Sequence, residues 1–86
     1  MRVQRVPADD LLVRDGETAL LVDGMAVRLS ELSAAIYDLT EDMVEVERLA
    51  RELEAHFGAP EGSTSMDATG HAVTELLRHG VLRSDR

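Results

Sequence analysis

The chain has no cysteine, no tryptophan and no lysine, and only one tyrosine, one phenylalanine and two prolines in 86 residues. The missing cysteine excludes a disulfide framework and a thiolate metal site. No apolar run approaches the roughly 20 residues that a membrane span needs. The opening Met1–Pro7 carries Arg2 and Arg5 but no apolar stretch behind them, so it does not read as a secretory signal. A soluble, cytoplasmic protein with no membrane partner is the expectation. Charge of one sign is also scarce: 17 acidic residues face 9 basic ones, all arginine, for a net charge of −8. Nucleic-acid binding needs a basic surface for phosphate and rings for stacking, so no nucleic-acid partner is expected. A peptide or protein partner suits this composition better. At this length the chain can build one domain around one modest core.

What the chain does have is a regular alternation of apolar runs and turn signals. Asp10–Arg14 ends at Asp15-Gly16, Thr18–Val22 ends at Asp23-Gly24, and Met25–Leu29 follows. An Asp-Gly pair between apolar runs marks a two-residue hairpin, so three short strands form a meander with the third at its edge. Its alternation puts Met25, Val27 and Leu29 on one face, Ala26 and Arg28 on the other. Residues 1–9 are polar with scattered valines and contain Pro7. They are expected to be an arm that orders on contact, or the start of an edge strand.

Ser30 then reads as a helix N-cap with Glu31 in the first turn. Leu32, Ala35, Ile36 and Leu39 follow on one helical face, and Thr40-Glu41-Asp42 breaks the pattern. A second helix over about 44–57 has Val46, Leu49, Ala50, Leu53 and Phe57 as its apolar stripe and Gly58 as its stop. Thr64 with Asp67 resembles a capping box. The third helix is expected to turn Thr69, Val73 and Leu76 toward the core and to end at Gly80. Val81 and Leu82 fold back onto its last turn, and Ser84-Asp85-Arg86 frays.

Chemistry is sparse. His71 and His79 stand about two turns apart on one helix, too far to share a metal ion unaided. No hydroxyl has a neighbouring His–acid pair. Neither Asp-Gly turn is a strand-to-helix phosphate cradle. A non-catalytic protein with no cofactor, no metal and no catalytic residue is expected. The informative feature is then the edge of the third strand, because an unpaired edge is a template for another chain.

The block Leu20-Leu21-Val22-Asp23-Gly24-Met25-Ala26-Val27-Arg28-Leu29-Ser30-Glu31-Leu32-Ser33-Ala34-Ala35-Ile36-Tyr37-Asp38-Leu39 carries a family resemblance. So do Val46–Ala50, Leu53, Phe57-Gly58 and Leu76-Leu77-Arg78-His79-Gly80-Val81-Leu82. In order and spacing, over about residues 10–82, they resemble the PqqD-like domains. These are the precursor-peptide recognition elements of ribosomally made, post-translationally modified peptides (RiPPs).

The resemblance implies an α+β, winged-helix-like fold of order βββααα: a three-stranded antiparallel N-terminal sheet, then three helices. The division would be an arm over 1–9, the peptide-recognition domain over 10–82 and a tail over 83–86. It further implies that a leader peptide adds as a strand beside the third strand, next to the third helix. The domain would then present the leader to a peptide-modifying enzyme or leader peptidase, in a lasso-peptide or PQQ-like pathway for example.

Carried onto this chain, the strand side of the site is Met25, Ala26, Val27, Arg28 and Leu29, with Arg28 facing an acidic leader residue. The helix side is Met66, Gly70, Val73, Thr74 and Leu77, with Met66, Gly70, Thr74 and Leu77 as the groove wall. The third helix departs from the family pattern, since small Asp67-Ala68-Thr69-Gly70 stands where an acidic residue and a larger aliphatic are usual. Two alternatives remain open: a winged-helix DNA-binding regulator, and a structural homodimer that pairs through the same strand edge.

Overall fold

The computed structural model describes residues 1–85. Its order is β1 (Arg2–Arg5), β2 (Asp10–Arg14), β3 (Glu17–Val22), β4 (Met25–Leu29), α1 (Glu31–Leu39), β5 (Val44–Glu45), α2 (Val46–Phe57), α3 (Ser65–Arg78) and β6 (Leu82–Ser84). β2, β3 and β4 form the expected antiparallel meander, followed by the three helices. The architecture is α+β. At both hairpins Asp and Gly have positive φ, 51° and 79° at Asp15-Gly16 and 48° and 77° at Asp23-Gly24. That is the type I′ geometry whose twist matches a hairpin.

The first and third helices, α1 and α3, start at their expected caps. Ser30 Oγ accepts from the Ser33 N–H at 3.1 Å, and Thr64 Oγ1 accepts from the Asp67 N–H at 3.0 Å. α1 ends at Thr40, whose buried hydroxyl donates to the Ile36 carbonyl at 2.7 Å. Val3, Leu20, Ile36, Leu49, Val73 and Val81 meet in one core drawn from both sheets and all three helices. Each such side chain contributes about 1.5–3 kcal/mol on burial. The molecule measures 34 × 33 × 18 Å, and the short axis leaves room for one sheet layer against one helical layer.

Several expectations are corrected. Residues 1–9 are neither an arm that orders only on contact nor the start of an edge strand: Arg2–Arg5 form β1, the centre of a second sheet of order β5-β1-β6. It pairs Val3 with Val44 on one side and Val3, Gln4 and Arg5 with Ser84, Arg83 and Leu82 on the other. β5 takes the first two residues expected of the second helix.

The expected fraying tail is likewise held, as far as it is described. Ser84 lies in β6, and the Asp85 carboxylate accepts from the Arg2 backbone N–H and from its Nε, each at 3.0 Å. These bonds, the backbone one foremost, hold the Asp85 carboxyl below its ordinary range. Arg86 lies outside the described residues. In α1, Leu39 is exposed and Tyr37 is buried in its place. The Arg5 guanidinium lies 4.8 Å from the Tyr37 ring centroid and donates to the Tyr37 carbonyl, which turns the last turn of α1 toward β1.

Candidate peptide-binding edge

β4 closes its sheet: β3 lies on one side, and no strand pairs with its other side among the described residues. The two-residue turn determines which backbone groups look outward. Val22 and Met25 flank the turn and are opposite one another, as are Leu20 and Val27, and Thr18 and Leu29. In a two-residue hairpin the flanking pair exchanges both hydrogen bonds, and bonded and non-bonded pairs then alternate. Met25, Val27 and Leu29 therefore bond to β3. The N–H and C=O groups of Ala26 and Arg28 point away from it. The Asp9 N–H bonds the Leu21 carbonyl at 2.8 Å, which places Leu21, the residue opposite Ala26, with its carbonyl toward β2. Four outward backbone groups on two residues are thus available to a guest strand.

The same register separates the side chains. Met25, Val27 and Leu29 share the face of Leu20 and Val22, which looks toward the helices. Leu29 is buried and Val27 half-buried against the core, but Met25 remains 68% exposed. Arg28 is on the opposite face, its guanidinium 3.4 Å from Glu17. With both side chains open to water, that pair is worth well under 1 kcal/mol, and Arg28 can change partners at little cost.

On α3, Val73 is buried and Leu77 half-buried against the same core that takes Val27. The expected groove wall divides. Met66 borders a recess with Glu47, Ala50, Arg51 and Glu54, so its flank of the helix faces α2. Thr74 is exposed and spends its hydroxyl on the Gly70 carbonyl at 2.9 Å. A helical wheel identifies the two flanks of a buried stripe but not which one faces the strand. The flank toward the end of β4 carries Ala68. Together with Ser30, Leu32, Phe57, Pro60 and Thr69, Ala68 lines a mainly apolar recess of about 390 Å³ where α1 begins, α2 ends and α3 begins.

No periodic pattern marks this recess in the sequence, because its walls come from three element ends. One signal was present, the run of small residues that opens α3. Ser65, at its rim, has a buried hydroxyl with no hydrogen-bond partner among the described residues.

Elsewhere the titratable groups form ordinary surface pairs: Arg48 with Glu52, and Glu75 with both Arg78 and His79. No three His, Asp or Glu side chains gather into a metal-holding set among the described residues, and no helix among them is long and apolar enough to cross a membrane. Comparison with protein-family models, with curated proteins and with solved structures finds no match to this chain.

Proposed function

We propose that the chain is a non-catalytic peptide-recognition domain that takes up the leader region of a ribosomally made precursor as a strand beside β4 and presents it to a tailoring enzyme. The observation that carries this is the open edge of β4, with the outward backbone groups of Ala26 and Arg28 beside exposed Met25 and half-buried Val27. Strand addition uses such groups for affinity and alternate side-chain pockets for choice. Four main-chain bonds at about 0.5–1.5 kcal/mol each give about 2–6 kcal/mol. A micromolar complex needs about 8 kcal/mol, so side-chain anchors must supply the rest. The recess below Ser30 has the size and apolar character to seat one large leader side chain. Arg28 suits an acidic one. A duplex-binding role lacks comparable support, since α3 carries one arginine, Arg78, against Asp67 and Glu75.

The test is calorimetric titration with synthetic leader segments of the precursor-type reading frames that neighbour its gene. At least one should bind the wild-type chain. Ala26→Pro, which deletes an outward N–H and leaves the β3–β4 ladder intact, should weaken that binding severely. If no leader binds, or if Ala26→Pro binds as well as wild type, the proposal fails.

A further inference from the structure

The other edge of the same sheet is also open, and its chemistry is different. β2 pairs only with β3 among the described residues, and all five of its residues are exposed. Three consecutive apolar side chains lie there in water: Leu11 at 49%, Leu12 at 58% and Val13 at 68% exposure. Leu11 and Val13 share the face of Leu20 and Thr18, but both remain exposed at the edge of the sheet while Leu20 is buried. Neither Asp10 nor Arg14 has an ion-pair partner among the described residues. An exposed apolar edge without a guarding charge at its middle is normally selected against unless it is used.

We infer that β2 pairs antiparallel with β2 of a second copy of this chain, about a two-fold axis through Leu12. The segment Asp10-Leu11-Leu12-Val13-Arg14 is complementary to its own reverse. In the fully overlapped antiparallel register, Asp10 faces Arg14 of the second copy, Leu11 faces its Val13, and Leu12 faces its Leu12. The backbone agrees with that register. The Asp15-Gly16 turn is again a two-residue loop, so Arg14, Leu12 and Asp10 bond to β3 while Leu11 and Val13 point outward. Antiparallel pairing requires outward residues to face outward residues, and Leu11 opposite Val13 meets that condition twice. The Leu11 N–H accordingly lies outside the β2–β3 ladder: it donates to the carboxylate of Asp10 at 2.8 Å. On pairing, that carboxylate turns to the guanidinium across the axis and frees the N–H for the Val13 carbonyl.

The product is a continuous six-stranded sheet, β4-β3-β2-β2-β3-β4, with the isologous symmetry usual for dimers. Both β4 edges stay at its outer limits. Pairing through β2 is therefore independent of the peptide-binding proposal and compatible with it. One strand pair buries little surface, so the dimer is a weak and concentration-dependent one.

Sedimentation velocity of the full chain, over a concentration series at low and high salt, tests this. A monomer–dimer equilibrium is expected that weakens as salt screens the two terminal ion pairs. Asp10→Arg or Arg14→Asp alone places like charges opposite one another at both ends, and each should lower the association constant roughly tenfold. The doubly reversed chain restores opposite charges and should associate more strongly than either single variant. Val13→Pro deletes an outward N–H without touching the β2–β3 ladder and should leave a folded monomer by its amide spectrum. If that variant does not fold, the charge reversals alone decide. Ala26→Pro, at the opposite edge, should dimerise as wild type does. A chain that is monomeric throughout overturns the inference. So does a dimer that the single reversals leave unchanged, that the double reversal fails to strengthen, or that Ala26→Pro abolishes.

Discussion

Gly70 sits in the middle of α3 with ordinary helical backbone, and a Cβ built there meets no atom within 4 Å. Glycine in a helix interior costs about 1 kcal/mol relative to alanine. Gly70→Ala should therefore raise the stability of the free chain by about 0.5–1 kcal/mol, read from chemical denaturation.

Asp85 offers a pH-dependent counterpart. Its carboxyl titrates lower in the folded chain because of the two Arg2 donors. A depressed carboxyl stabilises above its unfolded value and loses that contribution as pH falls through the folded one. The β1–β6 junction should thus hold above about pH 4 and loosen below it. Arg2 and Asp85 amide shifts should report that change, and Asp85→Asn should abolish it.

At this scale the sequence was legible where one side chain acts on its own turn, as Ser30 and Thr64 do at their caps. It misled where a distant partner decides. Nothing in the spacing of α1 says that Arg5 will draw Tyr37 inward and leave Leu39 in water.

The elements divide the same way. β2, β3 and β4 could be read because each lies between Asp-Gly turns and is joined to its neighbour by two residues. β1, β5 and β6 could not, because a sheet assembled from Arg2–Arg5, Val44–Glu45 and Leu82–Ser84 has strands too short to show a period and partners far apart in sequence. Of the candidate site, the strand side kept its expected alternation, while on α3 Met66 proved to border α2 and Ala68 to border the recess beside Ser30.

The meander also has two open edges with different properties. The β4 edge is backed by a half-buried apolar row and a recess; the apolar row of the β2 edge is exposed. Proline at each edge should separate them. Ala26→Pro should weaken leader binding at least tenfold and Val13→Pro should leave it unchanged, since only the first removes a main-chain bond to the guest and crowds its path. Titration of both variants with the same leader segment checks this.

For the whole molecule, the two sheets share one core but differ in exposure. The β5-β1-β6 sheet ties residues from both ends of the described chain to α1 and α2 and leaves its centre covered. Both sheets end in strands paired on one side only among the described residues, but β5 and β6 have two and three residues whereas β2 and β4 have five each. A molecule arranged in this way keeps a fixed body and offers its main chain to others at the meander. The central claim is that β4 is where a leader joins it.

Amide hydrogen exchange, residue by residue, tests that claim most directly. In the free chain the outward N–H groups of Ala26 and Arg28 should exchange fast, while those of Val27 and Leu29, bonded to β3, exchange slowly. Saturation with a leader segment should slow Ala26 and Arg28 to the rate of their neighbours and leave Leu11 and Val13 unchanged. If Ala26 and Arg28 exchange as fast with the peptide as without it, the leader is not held as a strand at β4.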